Sequence, residues 1–158
     1  MKGLIVYGTR YGTSAECARR LGERLSGSAD LADVRTAATI ERRELVVIGG
    51  PIYGGKLLPA VSRYCDAHRE ALLSTTVGLF ICCLYSGEAA EAELTSAFPP
   101  WLFAHARSRK VFGGSVHLKE LRLIDRYLVR KVARVEGDIA AIDDSAIAAM
   151  AAELDSIG

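Results

Sequence analysis

A doubly wound α/β sandwich is the fold class predicted by the 158-residue sequence. Two observations lead to it. Short, continuously apolar runs recur along the chain, and stretches with helical spacing separate them. Strands that are apolar on both faces belong to parallel sheets covered by helices on each side. One domain, residues 1–158, is expected, because chains allot roughly 100–200 residues to a domain. No repeat, low-complexity tract or Pro/Gly/Ser-rich linker divides the chain.

Gly3–Tyr7 reads as the first buried strand and ends at Gly8 in a turn-like stretch, Thr9–Ser14. Ala15–Leu25 follows with Cys17, Ala18, Leu21 and Leu25 on one helical face. Ala32–Thr36 is expected as a short second strand, and Leu45–Ile48 as a third, stopped by Gly49-Gly50-Pro51. Pro59 suits the first turn of a helix running to Leu72, with Val61, Tyr64, Cys65 and Leu72 facing inward. Val77–Leu84 is the fourth strand. Glu91–Arg107 is expected to be helical in part, with Pro99-Pro100 interrupting it or starting a new turn. Lys110–Val116, carrying Gly113-Gly114, is the fifth strand, and Asp144–Ile157 the closing helix, with Ile147, Met150, Ala151 and Leu154 inward.

Composition narrows the function. Lys and Arg number 20 against 19 Asp and Glu, a net charge of +1. That balance argues against a dedicated nucleic-acid binder, which carries a plainly basic domain. The longest apolar runs fall far short of the ~20 residues that span a bilayer. Met1-Lys2 leads into a short apolar run and then a polar turn, so no secretory signal is expected. Cys17, Cys65, Cys82 and Cys83 form no metal-spaced pair, so no metal site is expected. They read as reduced thiols of a cytoplasmic protein. His68, His105 and His117 are dispersed, no nucleophilic triad is visible, and no catalytic residue is assigned.

The turn after the first strand is the most informative segment. Ligands of doubly wound sheets bind beyond the carboxyl ends of the strands. A helix start there offers unpaired N–H groups and a positive dipole end to an anion. Thr9, Thr13 and Ser14 add hydroxyl donors, and Gly12 lets backbone wrap closely. Helix capping by Thr13 or Ser14 is the structural alternative, but it accounts for only one of the three hydroxyls. No lysine follows Gly12 as a triphosphate loop requires, and the dinucleotide G-x-G-x-x-G pattern is absent. A single phosphate fits best.

Thr9-Arg10-Tyr11-Gly12-Thr13-Ser14 resembles the T-x-T-G-x-T phosphate loop of flavodoxins, with Tyr11 for the middle threonine and Ser14 for the last. The likeness covers nearly the whole chain. Val46–Lys56, Val111–Gly114 and Leu118–Asp138 are similar to the flavodoxin-like branch that includes menaquinone-linked protoporphyrinogen IX dehydrogenase. The resemblance implies a flavodoxin-like sheet in the order 2-1-3-4-5 and FMN as cofactor. It assigns Pro51, Ile52, Tyr53, Gly54, Gly55 and Lys56 to one side of the flavin ring. Leu84, Tyr85, Ser86 and Gly87 fall on the other. Tyr53 and Tyr85 each offer an aromatic face for stacking, although loop tyrosines are also commonly half-buried edge residues. Positive charge near the ring, from Arg10 or Lys56, would favour its reduced form, although a lone loop lysine such as Lys56 also commonly stands in solvent.

Lys119–Arg134 carries Lys119, Arg122, Arg126, Arg130, Lys131 and Arg134 against Glu120 and Asp125. Leu121, Ile124, Leu128 and Val132 recur at helical steps, so an inserted basic amphipathic helix is expected after the fifth strand. It suits an anionic membrane face or an acidic substrate, or it covers a sheet edge with its charges in solvent. Three functions follow. The first is an FMN-dependent electron carrier between a reductase or quinone pool and an acceptor. The second is a protoporphyrinogen IX dehydrogenase-type oxidoreductase working with a quinone at the inner face of a membrane, touched peripherally through Lys119–Arg134. The third is a flavin-free interaction domain on the same fold.

Overall fold

The computed structural model describes residues 2–36, 39–116 and 139–157. Parallel strands β1 (Gly3–Tyr7), β2 (Ala29–Asp33), β3 (Leu45–Tyr53), β5 (Thr76–Cys82) and β6 (Ser108–Val111) lie in the order β2-β1-β3-β5-β6. A two-residue strand, β4 (Lys56–Leu57), pairs antiparallel with the end of β3. With that stub left out of the count, the order is the expected 2-1-3-4-5.

Alternation along the strands builds a core on each face. Ile5, Leu45, Val47 and Phe80 turn toward α1 (Thr13–Arg24) and the closing helix α6 (Asp144–Asp155). Leu4, Val6, Val46, Ile48, Leu79 and Ile81 turn the other way. That second core is covered by α2 (Pro59–Ala67), α3 (Arg69–Leu73), α4 (Gly87–Ala97) and α5 (Pro100–His105). Arg20 and Arg24 of α1 pair with Asp144, and Ser26 bonds Asp155, so both ends of α6 are tied to the C-terminal part of α1 and the residues after it.

Several boundaries differ from the sequence-based expectation, each for a local reason. The second strand is Ala29–Asp33 rather than Ala32–Thr36, because it pairs residue by residue with Gly3–Tyr7 as an exposed edge and Asp33 then opens a turn. The third strand continues through Gly49-Gly50-Pro51, since β5 pairs with it as far as Pro51. The helix expected over Pro59–Leu72 divides at His68, and Thr76–Cys82 replaces Val77–Leu84. The helix expected to open at Glu91 opens at Gly87, and Pro100 starts a separate helix, α5. Lys110–Val116 is not one strand. The chain leaves the main sheet at Phe112, and β7 (Gly113–Val116) pairs antiparallel with β8 (Ile139–Ile142) in a second small sheet. The basic helix expected over Lys119–Arg134 lies outside the described residues.

Phe80 explains Gly49. The Phe80 ring lies across β3 and stacks on Phe112 with centroids 4.7 Å apart, both fully buried. A Cβ at Gly49 would stand 2.3 Å from that ring. Gly49→Ala is therefore expected to destabilise the protein by about 1–3 kcal/mol through overpacking. A urea denaturation midpoint unchanged from wild type would show instead that Phe80 can move.

Candidate functional site

The carboxyl ends of β1, β3 and β5 converge on three loops. At the first, β1 enters α1 through Gly12, whose φ of 96° is a left-handed conformation that glycine adopts without steric cost. Thr9 Oγ1 accepts the Gly12 N–H at 2.9 Å and closes the loop on itself, leaving the Thr9 hydroxyl proton to donate outward. Among the described residues no side chain caps α1, although Asp143 caps α6 by accepting the Ala146 N–H at 3.1 Å. The capping alternative therefore fails at this helix start, and the positive dipole end is left for an anion. Nothing lies within 4 Å of where a Cβ of Gly12 would be, so the loop presents open backbone.

The structure separates the three hydroxyls grouped by the sequence reading. Thr9 and Thr13 are half-buried at the loop. Ser14 is only 1% exposed, its Oγ has no hydrogen-bond partner among the described residues, and it lies close enough to the Cys82 thiol to favour its thiolate. Thr9, Thr13 and the backbone of the first turn thus form the accessible part of the cradle.

An acidic residue, Glu16, sits in the same first turn, and a bare carboxylate there would compete with a bound anion. Its charge is already taken up. Hydrogen bonds from Arg19 and then Arg20 hold its carboxyl down to about 2. Arg19 also pairs with Glu23.

In the second loop, Tyr53-Gly54-Gly55-Lys56 is a two-residue hairpin turn joining β3 to β4. Gly54 and Gly55 have φ of 58° and 77°, the pair of positive values a type I′ turn needs. Pro51 is buried, Ile52 and Tyr53 are half-buried, and Gly54, Gly55 and Lys56 are exposed. The first and second loops touch: the rings of Tyr11 and Tyr53 meet edge to face at 6.2 Å. The Arg10 guanidinium lies 5.8 Å from the first ring and 5.5 Å from the second. This cation–π clasp joins the phosphate loop to the hairpin.

The third loop follows β5. Leu84 is half-buried, while Tyr85, Ser86 and Gly87 are exposed. Its base is set by residues the sequence reading placed in a strand. The Cys83 N–H donates to the Gly113 carbonyl at 3.0 Å, and a Cβ on Gly114 would come within 2.8 Å of the Cys83 carbonyl oxygen. The adjacent glycines, unusual inside a strand, were the available clue to this close approach. Burial pushes the Cys83 thiol up to about 11, with the neighbouring Glu93 carboxylate adding to the shift.

His68, His105 and the cysteines are packed into the fold. His68 bonds the Tyr64 carbonyl through Nδ1 at 2.9 Å and stacks on the Tyr64 ring, and His105 Nε2 meets the Thr75 carbonyl at 2.8 Å. All four cysteines are free and buried, and no metal-binding cluster occurs among the described residues. No described helix is long and apolar enough to cross a membrane.

With this geometry in place, the comparisons can be read. A family model described as a flavodoxin domain matches residues 4–142. The chain belongs to the flavodoxin-domain family. No curated protein matches. Among solved structures, a Fusobacterium nucleatum flavodoxin mutant bound to flavin mononucleotide is 15% identical with a TM-score of 0.56, over 99% of this chain and 96% of that one. A flavodoxin from the domain Archaea is 15% identical with a TM-score of 0.52, over 96% and 99%. A flavodiiron protein from Giardia intestinalis is 16% identical with a TM-score of 0.49, over 69% of this flavodoxin-domain chain. The chain spans only 30% of that protein. At these identities the likeness to solved structures shows the fold.

The arginines around Glu16 give the flavodoxin domain a testable acid sensitivity. A carboxyl held at about 2 in the folded chain, against an ordinary value of 4.5, stabilises the fold above pH 4.5. That contribution is lost as pH falls toward 2. Denaturant midpoints measured across this window should fall less steeply for Glu16→Gln than for wild type. Parallel curves would show that the ion pairs leave folding untouched.

Proposed function

We propose that this chain is an FMN-binding redox protein that carries electrons between a reductase or quinone pool and an acceptor. The observation that carries the reading is the start of α1 without a side-chain cap, in the loop whose Arg10 and Tyr11 pack on Tyr53 of the second loop. FMN, when bound, supplies one- and two-electron transfer. Thr9, Thr13 and the first-turn amides would hold its phosphate. Ile52–Lys56 and Leu84–Gly87 would flank its ring. The FMN-bound F. nucleatum flavodoxin and an FMN-bound flavoprotein from Lactobacillus acidophilus support that choice of cofactor.

The charges of the chain bear on the chemistry. Arg10 and Lys56 stand at the two loops nearest the ring position and favour added negative charge there, while the arginines on α1 cancel Glu16. Charge reversal at Lys56 should lower the midpoint potential of FMN-loaded protein by about 20–40 mV, the one-electron equivalent of an exposed ion pair. An unchanged potential in Lys56→Glu would place that side chain outside the electrostatic reach of the ring.

A second reading keeps the cofactor and changes the partner: a protoporphyrinogen IX dehydrogenase-type oxidoreductase working with a quinone at a membrane face. One observation favours it. The basic sequence 119–134 connects β7 to β8, and β7 is bonded to the base of the third loop through Gly113. The most basic segment of the sequence thus joins two strands of the small sheet that adjoins the third loop.

Visible absorption of purified protein, repeated after incubation with FMN and desalting, tests the cofactor. Retained flavin bands, lost in a Thr9→Ala/Gly12→Ala double variant, are expected. Protein that stays colourless would instead point to a flavin-free interaction domain. Porphyrinogen oxidation by the loaded protein, with and without a menaquinone analogue, separates carrier from oxidoreductase. Flotation with anionic liposomes should be lost when Arg126, Arg130 and Lys131 become glutamate if the membrane reading holds.

A further inference from the structure

Beneath the phosphate loop lies a pair of groups the electron-carrier reading does not use. Cys17 sits in the second turn of α1 and Cys82 is the last residue of β5. Their sulfurs are 3.7 Å apart within one core cluster. Cys17 has no exposure, whereas Cys82 keeps 4% at the carboxyl end of its strand. The other two thiols are directed elsewhere: Cys65 and Cys83 belong to the opposite core, and Cys83 Sγ points to the Tyr85 carbonyl at 3.6 Å.

We propose that Cys17 and Cys82 are a redox modification site that closes to an internal disulfide under hydrogen peroxide and loosens the phosphate cradle above it. The chemistry balances in two steps. Peroxide oxidises the Cys82 thiol to a sulfenic acid and leaves as water. The Cys17 sulfur then attacks that sulfur, forming the S–S bond and expelling the hydroxyl as a second water. Together the thiols lose two hydrogens and two electrons, and one peroxide becomes two waters. The first step is assigned to Cys82 because its residue keeps slight exposure at the end of β5 where Cys17 has none, and Ser14 stands near enough to favour the thiolate that reacts. Contact with the Cys17 thiol and desolvation hold Cys82 protonated, so the reaction is slow and needs sustained oxidant.

Disulfide sulfurs stand about 2.05 Å apart, so the pair must draw together by about 1.6 Å. β5 is clamped between β3 and β6 inside the sheet, whereas α1 lies on its surface. Movement therefore falls on α1, and Cys17 is four residues after Thr13, where the cradle begins. Displacing those first-turn amides costs a phosphate about one charge-assisted hydrogen bond, roughly tenfold in affinity or more. This consequence rests on the FMN reading; the disulfide itself does not.

The test oxidises cofactor-free protein with hydrogen peroxide, maps its peptides by mass and titrates FMN before and after. A peptide linking Cys17 to Cys82, about tenfold weaker FMN binding and recovery with dithiothreitol are expected. Cys17→Ala and Cys82→Ala should each bind FMN as the reduced wild type does and be insensitive to peroxide; if one fails to fold, the other decides. Exhaustive oxidation without the linked peptide overturns the site. A linked peptide with unchanged FMN affinity overturns the switch. Reduced wild type that binds no FMN defeats the cofactor reading, while the peptide map still decides the pairing.

Discussion

The left-handed turn at Gly12 is the constraint on which the rest of the site depends. It lets β1 reverse into α1 within a few residues, so that the helix begins at the carboxyl edge of the sheet with no side chain across its first amides. Beneath it, Gly8 lies where a Cβ would stand 2.5 Å from Val61, so the floor of the loop rests directly on α2. Thr9 closes the loop from within, and Arg19 and Arg20 take up the one acidic charge in the first turn. Each of these features makes the helix start a better place for an anion.

The second loop is positioned by packing and by turn chemistry acting at different points. Gly49 makes room for Phe80, which lets β3 run straight to the site. Two residues beyond the buried Pro51, the Gly54-Gly55 turn reverses the chain and fixes the register of Tyr53 opposite Lys56. Tyr53 is thereby brought under Arg10, and a guanidinium packed on two touching tyrosines joins loops that are far apart in sequence. The two cores beneath differ as well. The first ties α1 to α6 and holds the cysteine pair, so a change in thiol state acts on the helix that carries the cradle.

The fold class was legible because apolar runs on both strand faces have few other interpretations, and Gly3–Tyr7 and Leu45–Ile48 are such runs. Ala29–Asp33 was missed because an edge strand carrying Asp30 and Asp33 has no such run, and only pairing with β1 defines it. The break at Phe112 was marked in the sequence only by Gly113-Gly114, and the burial of Phe112 on Phe80 divides the segment there. At the site, the location of the phosphate loop followed from Gly12 and the hydroxyls around it. Where each hydroxyl goes did not. Ser14 and Thr13 are neighbours in sequence, yet helix geometry sends Ser14 to the core beside Cys82. Gly49 and Gly50 read as the stop of a strand, but the strand runs through them and they make room for Phe80 and Val61.

The central claim is that the uncapped start of α1 holds a phosphate, and it is tested most directly by comparing FMN with riboflavin, which has the same ring and lacks the phosphate. Calorimetric titration of both into cofactor-free protein isolates that group. FMN should bind at least about 100-fold more tightly, the worth of two charge-assisted hydrogen bonds, and Gly12→Ala should remove most of the difference. Equal affinities for the two ligands would contradict the account, since the ring loops would then hold the flavin without the helix start.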